Sequence, residues 1–184
     1  MKKFIIIAIA TMLAFTTFAQ QKNNKPVRDQ KSDSPALHVK RQDDGTIKKV
    51  YDEEIDPNEQ IEKALDEARS SNRLVICQVG GNWCPWCLRF ADFITSDKEL
   101  NTFIKKNFVY IHVNTSKEHK NYDTMKRLGN PGRFGYPVLV VLDHEGRPIQ
   151  IQSTDCFEVD KSYDLKLVKK FFQNWTLNAI EEIK

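Results

Sequence analysis

Cysteine, histidine and methionine are scarce in this chain, numbering four, four and three among 184 residues. Only Cys84 and Cys87 lie close together, while Cys77 and Cys156 are single and far apart, so a second close pair to complete a four-ligand zinc site is missing. Leu88, not histidine, follows Cys87, which excludes covalent haem attachment. The histidines fall at His38 in a polar stretch, His112 inside an apolar run, His119 in a charged loop and His144 in a turn; none adjoins the cysteines and none is assigned a role. No metal and no cofactor is expected. The chain also has no internal repeat, and its apolar run Phe4 to Phe15 is short of the roughly 20 residues a spanning helix needs.

Basic charge is not concentrated on the part that can fold. Residues 20–50 carry eight lysines and arginines against four acids, whereas from Tyr51 onward 18 basic residues face 21 acidic ones. The overall +3 therefore belongs outside the folded body, and no nucleic-acid surface is expected. The N-terminal "MKKFIIIAIATMLAFTTFAQ" has the charged, apolar and small-residue order of a secretory signal, with Thr17 and Ala19 flanking a cut before Gln20. An uncleaved anchor is the competing account, which the short apolar run disfavours, and no cysteine follows that run to take a lipid. Residues 20–50 lack aromatics and are too polar to offset the entropy of ordering. The expected layout is thus a signal at 1–19, a flexible linker at 20–50 and one domain at 51–184, exported and without stable membrane insertion after cleavage.

Within that domain the elements alternate. Asp56 caps a helix with Pro57 at its first position and Glu59 at the capping-box position, and Ile61, Ala64, Leu65 and Ala68 share one face. Arg73 to Val79 reads as a buried strand. A helix from the cysteines continues to about Thr95, and Ser96 to Glu99 reads as a capping box opening a further helix through Ile104. "NFVYIHVN" is a second strand, "NYDTMKRLG" a helix stopped at Gly129, and "GNPGRFG" a flexible connection that could border a groove. Val138 to Leu142, a turn at Asp143 to Gly146 and a strand near Ile149 to Gln152 follow. Leu165, Val168, Phe172 and Trp175 then mark one closing amphipathic helix. This is an α/β order, with the first two strands parallel across a helical crossover and the last two antiparallel across a tight turn.

The chemistry lies in "GGNWCPWCLRF", Gly80 to Phe90. A purely structural disulfide is possible, yet a bridge closing so small a loop removes little unfolded-state entropy. With Cys84 at a helix N-cap and Pro85 at the first helical position, the sulfur would accept from the backbone N–H groups of Trp86 and Cys87 and face the positive end of the helix dipole. Such settings lower cysteine pKa values from about 8.5 to roughly 3.5 to 7.5. Cys84 is then the nucleophile that forms a mixed disulfide, and Cys87 resolves it. Gly80 and Gly81 would let the chain leave the strand sharply. Trp83 and Trp86 would surround the sulfurs with apolar surface, or simply pack.

"WCPWC" after an apolar strand, followed some fifty residues later by "FGYPVLVVLD", resembles the thioredoxin superfamily. It is most similar to exported members of the type found as the C-terminal periplasmic domain of DsbD reductases. The resemblance covers residues 57 to 152 well and the closing helix loosely. It implies a thioredoxin-like α/β fold with a central mixed sheet of about four to five strands flanked by helices. It also implies a cis Tyr136-Pro137 peptide facing the sulfurs, with Tyr136 offering backbone hydrogen bonds to an extended substrate. Trp83, Pro85, Trp86, Tyr136 and Pro137 are the substrate-binding candidates beside the catalytic Cys84 and Cys87. One departure is Gln78, standing where the resembled family carries a buried acid, so either water, another group or the substrate moves the inner thiol's proton, or turnover is slower. Cys77 reads as a buried strand residue, and sequence leaves open whether it pairs with Cys156.

The functional expectation is a monomeric thiol-disulfide oxidoreductase acting on protein thiols and disulfides, more a reductase or electron relay fed by a membrane donor than an oxidase. A thioredoxin-fold module that binds extended clients without redox turnover stays open beside it.

Overall fold

The computed structural model describes residues 48–181, all within one unit. The expected signal at 1–19 and most of the expected linker lie outside the described residues.

Helix α1, Pro57–Ser71, starts where Asp56 accepts from the N–H groups of Asn58 and Glu59, and it ends at Asn72 in the left-handed conformation. Strand β1, Leu74–Gly80, is buried along its whole length. Helices α2, Pro85–Ser96, and α3, Lys98–Asn107, lead to strand β2, Phe108–Asn114, and a short helix α4, Tyr122–Arg127. Gly129, with φ +77°, closes that turn. A 3₁₀ turn at Pro131–Phe134 precedes strands β3, Val138–Leu142, and β4, Pro148–Ser153. The "GNPGRFG" stretch is therefore a structured turn, not a loose connection.

The sheet runs in the order β2-β1-β3-β4, with β1 parallel to β2 and antiparallel to β3, and β3 antiparallel to β4. This is the expected mixed sheet, with four strands. The two-residue period of β1 divides the core. Leu74 and Ile76 join Leu139 and Val141 under Phe90, Phe93, Phe108 and Phe172 on one face. Val75, Cys77 and Val79 join Val138, Val140 and Leu142 under α1 on the other. Each large side chain so buried contributes about 1.5–3 kcal/mol. Gln78 falls on the first face, beneath α2, because it is in register with Leu74 and Ile76.

Three details differ from expectation. Ser96 is the last residue of α2, and Asp97 caps α3 instead, accepting from the Leu100 N–H at 2.7 Å. The closing segment is two helices, α5 Leu165–Asn174 and α6 Leu177–Glu181, because Thr176 breaks the run and its Oγ1 accepts from the Ala179 N–H. A small hairpin, β5 Glu158–Val159 and β6 Ser162–Tyr163, precedes them and sets Tyr163 against α2.

Candidate active site

The central strand β1 delivers the chain to the start of α2. Cys84 is the N-cap in extended conformation, Pro85 occupies the first helical turn, and the Cys87 N–H donates to Cys84 Sγ at 3.2 Å. The two sulfurs are joined in a disulfide whose Cα atoms lie 5.2 Å apart. Of the two backbone donors expected at Cys84 Sγ, Cys87 is in place and Trp86 is not.

The glycines ahead of the cysteines serve space, not a left-handed backbone. A Cβ on Gly80 would stand 2.5 Å from Cys87 Sγ and 2.9 Å from the Tyr51 hydroxyl oxygen, and one on Gly81 would strike the Trp83 indole. Asn82 completes the lead-in. Its Oδ1 accepts from both the Val50 and Tyr51 N–H groups at 3.1 Å, and its Nδ2 donates to the Tyr51 carbonyl at 2.8 Å. The segment before α1 is thereby fastened beneath the cysteine loop.

Across the loop, Tyr136-Pro137 is a cis peptide, and the Tyr136 carbonyl oxygen lies 3.8 Å from Cys84 Sγ. The Pro137 carbonyl accepts from the buried Thr154 hydroxyl at 3.0 Å, which holds the start of β3 in place. Trp83 is 54% exposed, donates its indole N–H to the Thr115 carbonyl at 2.7 Å and meets the Tyr136 ring edge-on. Trp86 turns the other way, edge-on to Tyr163 and under the Arg89 guanidinium at 4.4 Å. Pro85 is exposed. An open cavity of about 740 Å³ extends from Trp83 and Tyr136 past Thr115, Tyr122, Met125 and Arg133.

Residues 61–154 match the family model described as a thioredoxin-like domain, about half of the chain. The chain belongs to the thioredoxin-like family. Among solved structures, this thioredoxin-like chain is similar to a disulphide isomerase from Xylella fastidiosa Temecula1, with TM-score 0.57 and 21% identity over 67% of this chain and 94% of that one. It is also similar to a DsbH oxidoreductase, with TM-score 0.45 and 20% identity over 61% and 78%. No curated protein matches it.

Behind the disulfide, the thioredoxin-like chain carries a buried polar cluster. Gln78 Nε2 donates to the Tyr51 hydroxyl at 2.6 Å and to the Cys87 carbonyl at 2.9 Å, while its Oε1 accepts from the Tyr110 hydroxyl at 2.7 Å. His112 pairs with Gln78 across the β1–β2 ladder and meets the Tyr51 and Tyr110 rings edge-on. Burial raises both tyrosine hydroxyls well above their ordinary range and lowers the His112 imidazole to about 4. Cys77 is free and fully buried on the opposite face, its thiol pushed up to about 12 by burial. Cys156 is free and exposed, its thiol raised first by partial burial and then by Asp155. The two therefore do not pair.

The structure brings Cys84, Cys87, Trp83, Tyr136 and Pro137 together, and Pro85 and Trp86 flank them. Sequence reasoning missed Tyr51, Asn82, Tyr110 and His112. For Tyr51 a signal existed, since it is the first aromatic after an aromatic-free stretch.

Proposed function

We propose that this chain is an exported thiol-disulfide oxidoreductase, cleaved of residues 1–19, tethered by 20–50 and working as a monomer on protein thiols and disulfides. The observation that carries the reading is the disulfide at the head of α2, with Cys84 Sγ held by the Cys87 N–H beside the cis Tyr136-Pro137 peptide. In the reduced chain, Cys84 as thiolate attacks a substrate disulfide and releases one substrate thiol. Cys87 then attacks Cys84 Sγ, the mixed disulfide breaks, and the second substrate sulfur leaves with a proton. The dithiol has lost two electrons and the substrate has gained them. Trp83 and Tyr136 form the rim over which an extended client would lie, with Tyr136 supplying backbone hydrogen bonds. Pro85 and Trp86 complete the contact surface.

The preferred direction is reduction, fed by a membrane donor. The likeness of the Cys-Pro-Trp-Cys stretch and its surroundings to the periplasmic domain of DsbD reductases supports it. No described helix is long and apolar enough to cross a membrane.

Equilibration of the Cys84-Cys87 pair against glutathione tests the direction. The expected poise is nearer about −270 mV than about −120 mV. In the same preparation, Cys87→Ser should accumulate disulfide-linked clients. Absence of trapped clients together with an unreactive Cys84 would remove the enzymatic reading. The cavity beside Trp83 favours a second reading, a module that binds clients without turnover. That reading requires client binding to survive replacement of both cysteines by serine.

A further inference from the structure

The Cys87 sulfur is fully buried, and no carboxylate stands at position 78 to receive or steady charge when it reacts. Gln78 itself is already engaged: both of its amide hydrogens are donated, and its carbonyl oxygen accepts from the Tyr110 hydroxyl. The amide fixes the polarity of its neighbour. Because Gln78 donates to the Tyr51 oxygen, the Tyr51 hydroxyl hydrogen must point elsewhere, and among the described residues nothing accepts it. The missing side chain of Gly80 leaves a gap on which Tyr51 Oη and Cys87 Sγ both converge, so the two atoms flank one small space. Tyr51 also packs directly in the cluster of Cys84, Cys87 and Leu88.

We propose that the Tyr51 hydroxyl is a positioning donor for the resolving step, turning its hydrogen to Cys87 Sγ once the disulfide opens and steadying the thiolate that attacks the mixed disulfide. The claim rests on the exchange function proposed above. Proton and electrons balance without a further reactant. Cys87 Sγ–H loses its proton to solvent, Cys87 Sγ attacks Cys84 Sγ, the bond to the substrate sulfur breaks, and the departing thiolate is protonated. Tyr51 keeps its own proton throughout. Asn82 is part of the device, since its bonds to Val50 and Tyr51 hold the ring under the loop that carries both cysteines. The other titratable groups facing this space are Tyr110 and His112 from β2 and Tyr163 from β6, and burial keeps each of them neutral at pH 7.

The test is stopped-flow reaction of the reduced chain, in a Cys156→Ala background, with an aromatic disulfide that releases a coloured thiol at each step. The first release reports attack by Cys84, and the second reports resolution by Cys87. In Tyr51→Phe, which keeps the ring, the first phase should be unchanged. The second should slow by about threefold at neutral pH, since lost thiolate is partly offset by higher intrinsic nucleophilicity. Its pH profile should move upward, so that the variant overtakes the parent at high pH. A purely structural role for the hydroxyl would lower the phase at every pH. An unchanged second phase, or one lowered uniformly, overturns the proposal while leaving the exchange reading intact; loss of the first phase in the parent chain sinks that reading instead. Should Tyr51→Phe fail to fold, the parent chain labelled with ¹³C at tyrosine Cζ decides. The Tyr51 signal must shift on reduction and titrate together with Cys87, and a signal unmoved by either refutes the donor role.

Discussion

At residue 112 the chain holds a histidine whose Nε2 is buried with no hydrogen-bond partner among the described residues, opposite Gln78 and between two tyrosine rings. Burial lowers its pKa to about 4 from 6.5. The sign of the consequence follows from proton counting. Above about pH 6.5 neither folded nor unfolded chain binds a proton there, and the residue has no effect on the pH dependence. As pH falls toward 4, the unfolded imidazole takes a proton that the folded one refuses, so stability declines, by roughly 3 kcal/mol over the window. His112→Phe should therefore lose less stability between pH 7 and pH 4.5 than the parent, read from urea midpoints at the two values. Equal losses would mean that the imidazole finds a proton acceptor or water in the fold. Gln78 was legible in the sequence as a departure from a resembled pattern, but its partners were not. Strand periodicity says which face a residue takes, whereas the pairing of β1 with β2 and the 27-residue reach back to Tyr51 depend on register and on Asn82.

Elements were legible where local chemistry admits one solution. Asp56 followed by Pro57 marks a helix start without competition, and the cysteine-proline step at α2 does the same. "TSDKE" does not, because Ser96 and Asp97 are both competent caps and the pattern from Ser96 to Glu99 satisfies the capping box. The structure resolves the choice by running α2 through Ser96, so that Asp97, in extended conformation, ends one helix and caps the next. Asp97→Ala should then cost about 1 kcal/mol in a urea titration, whereas Ser96→Ala should be close to neutral. The reverse ranking would restore the pattern read from sequence. The split between α5 and α6 was hidden for a related reason. Leu177 and Ile180 continue the apolar surface begun by Leu165 and Val168, so hydrophobic periodicity passes straight over the cap that Thr176 provides.

Across the whole molecule, β1 separates two chemistries by the alternation of its side chains. Gln78 faces α2 and the disulfide-bonded pair, while Cys77, its neighbour in sequence, packs in the apolar layer under α1. The sheet is thus a wall between the disulfide-bonded pair and a thiol shut off from solvent, and the α/β order of the sequence was enough to foresee the wall but not which cysteine lay on which side. With the Cys84-Cys87 disulfide left intact, the native chain presents only Cys77 and Cys156 as free thiols. Cys156 is exposed and should label with an alkylating reagent in native buffer. Cys77 has no exposed surface, and burial holds its thiol up to about 12. At pH 8 only about one such thiol in 10⁴ would be ionised even if the reagent reached it. Its labelling must therefore wait for the sheet to open, and its rate should rise with urea at the slope of global unfolding while that of Cys156 stays nearly flat. If both thiols label together in native buffer, the α1 face opens locally, and the protection of Cys77 is not a property of the whole sheet.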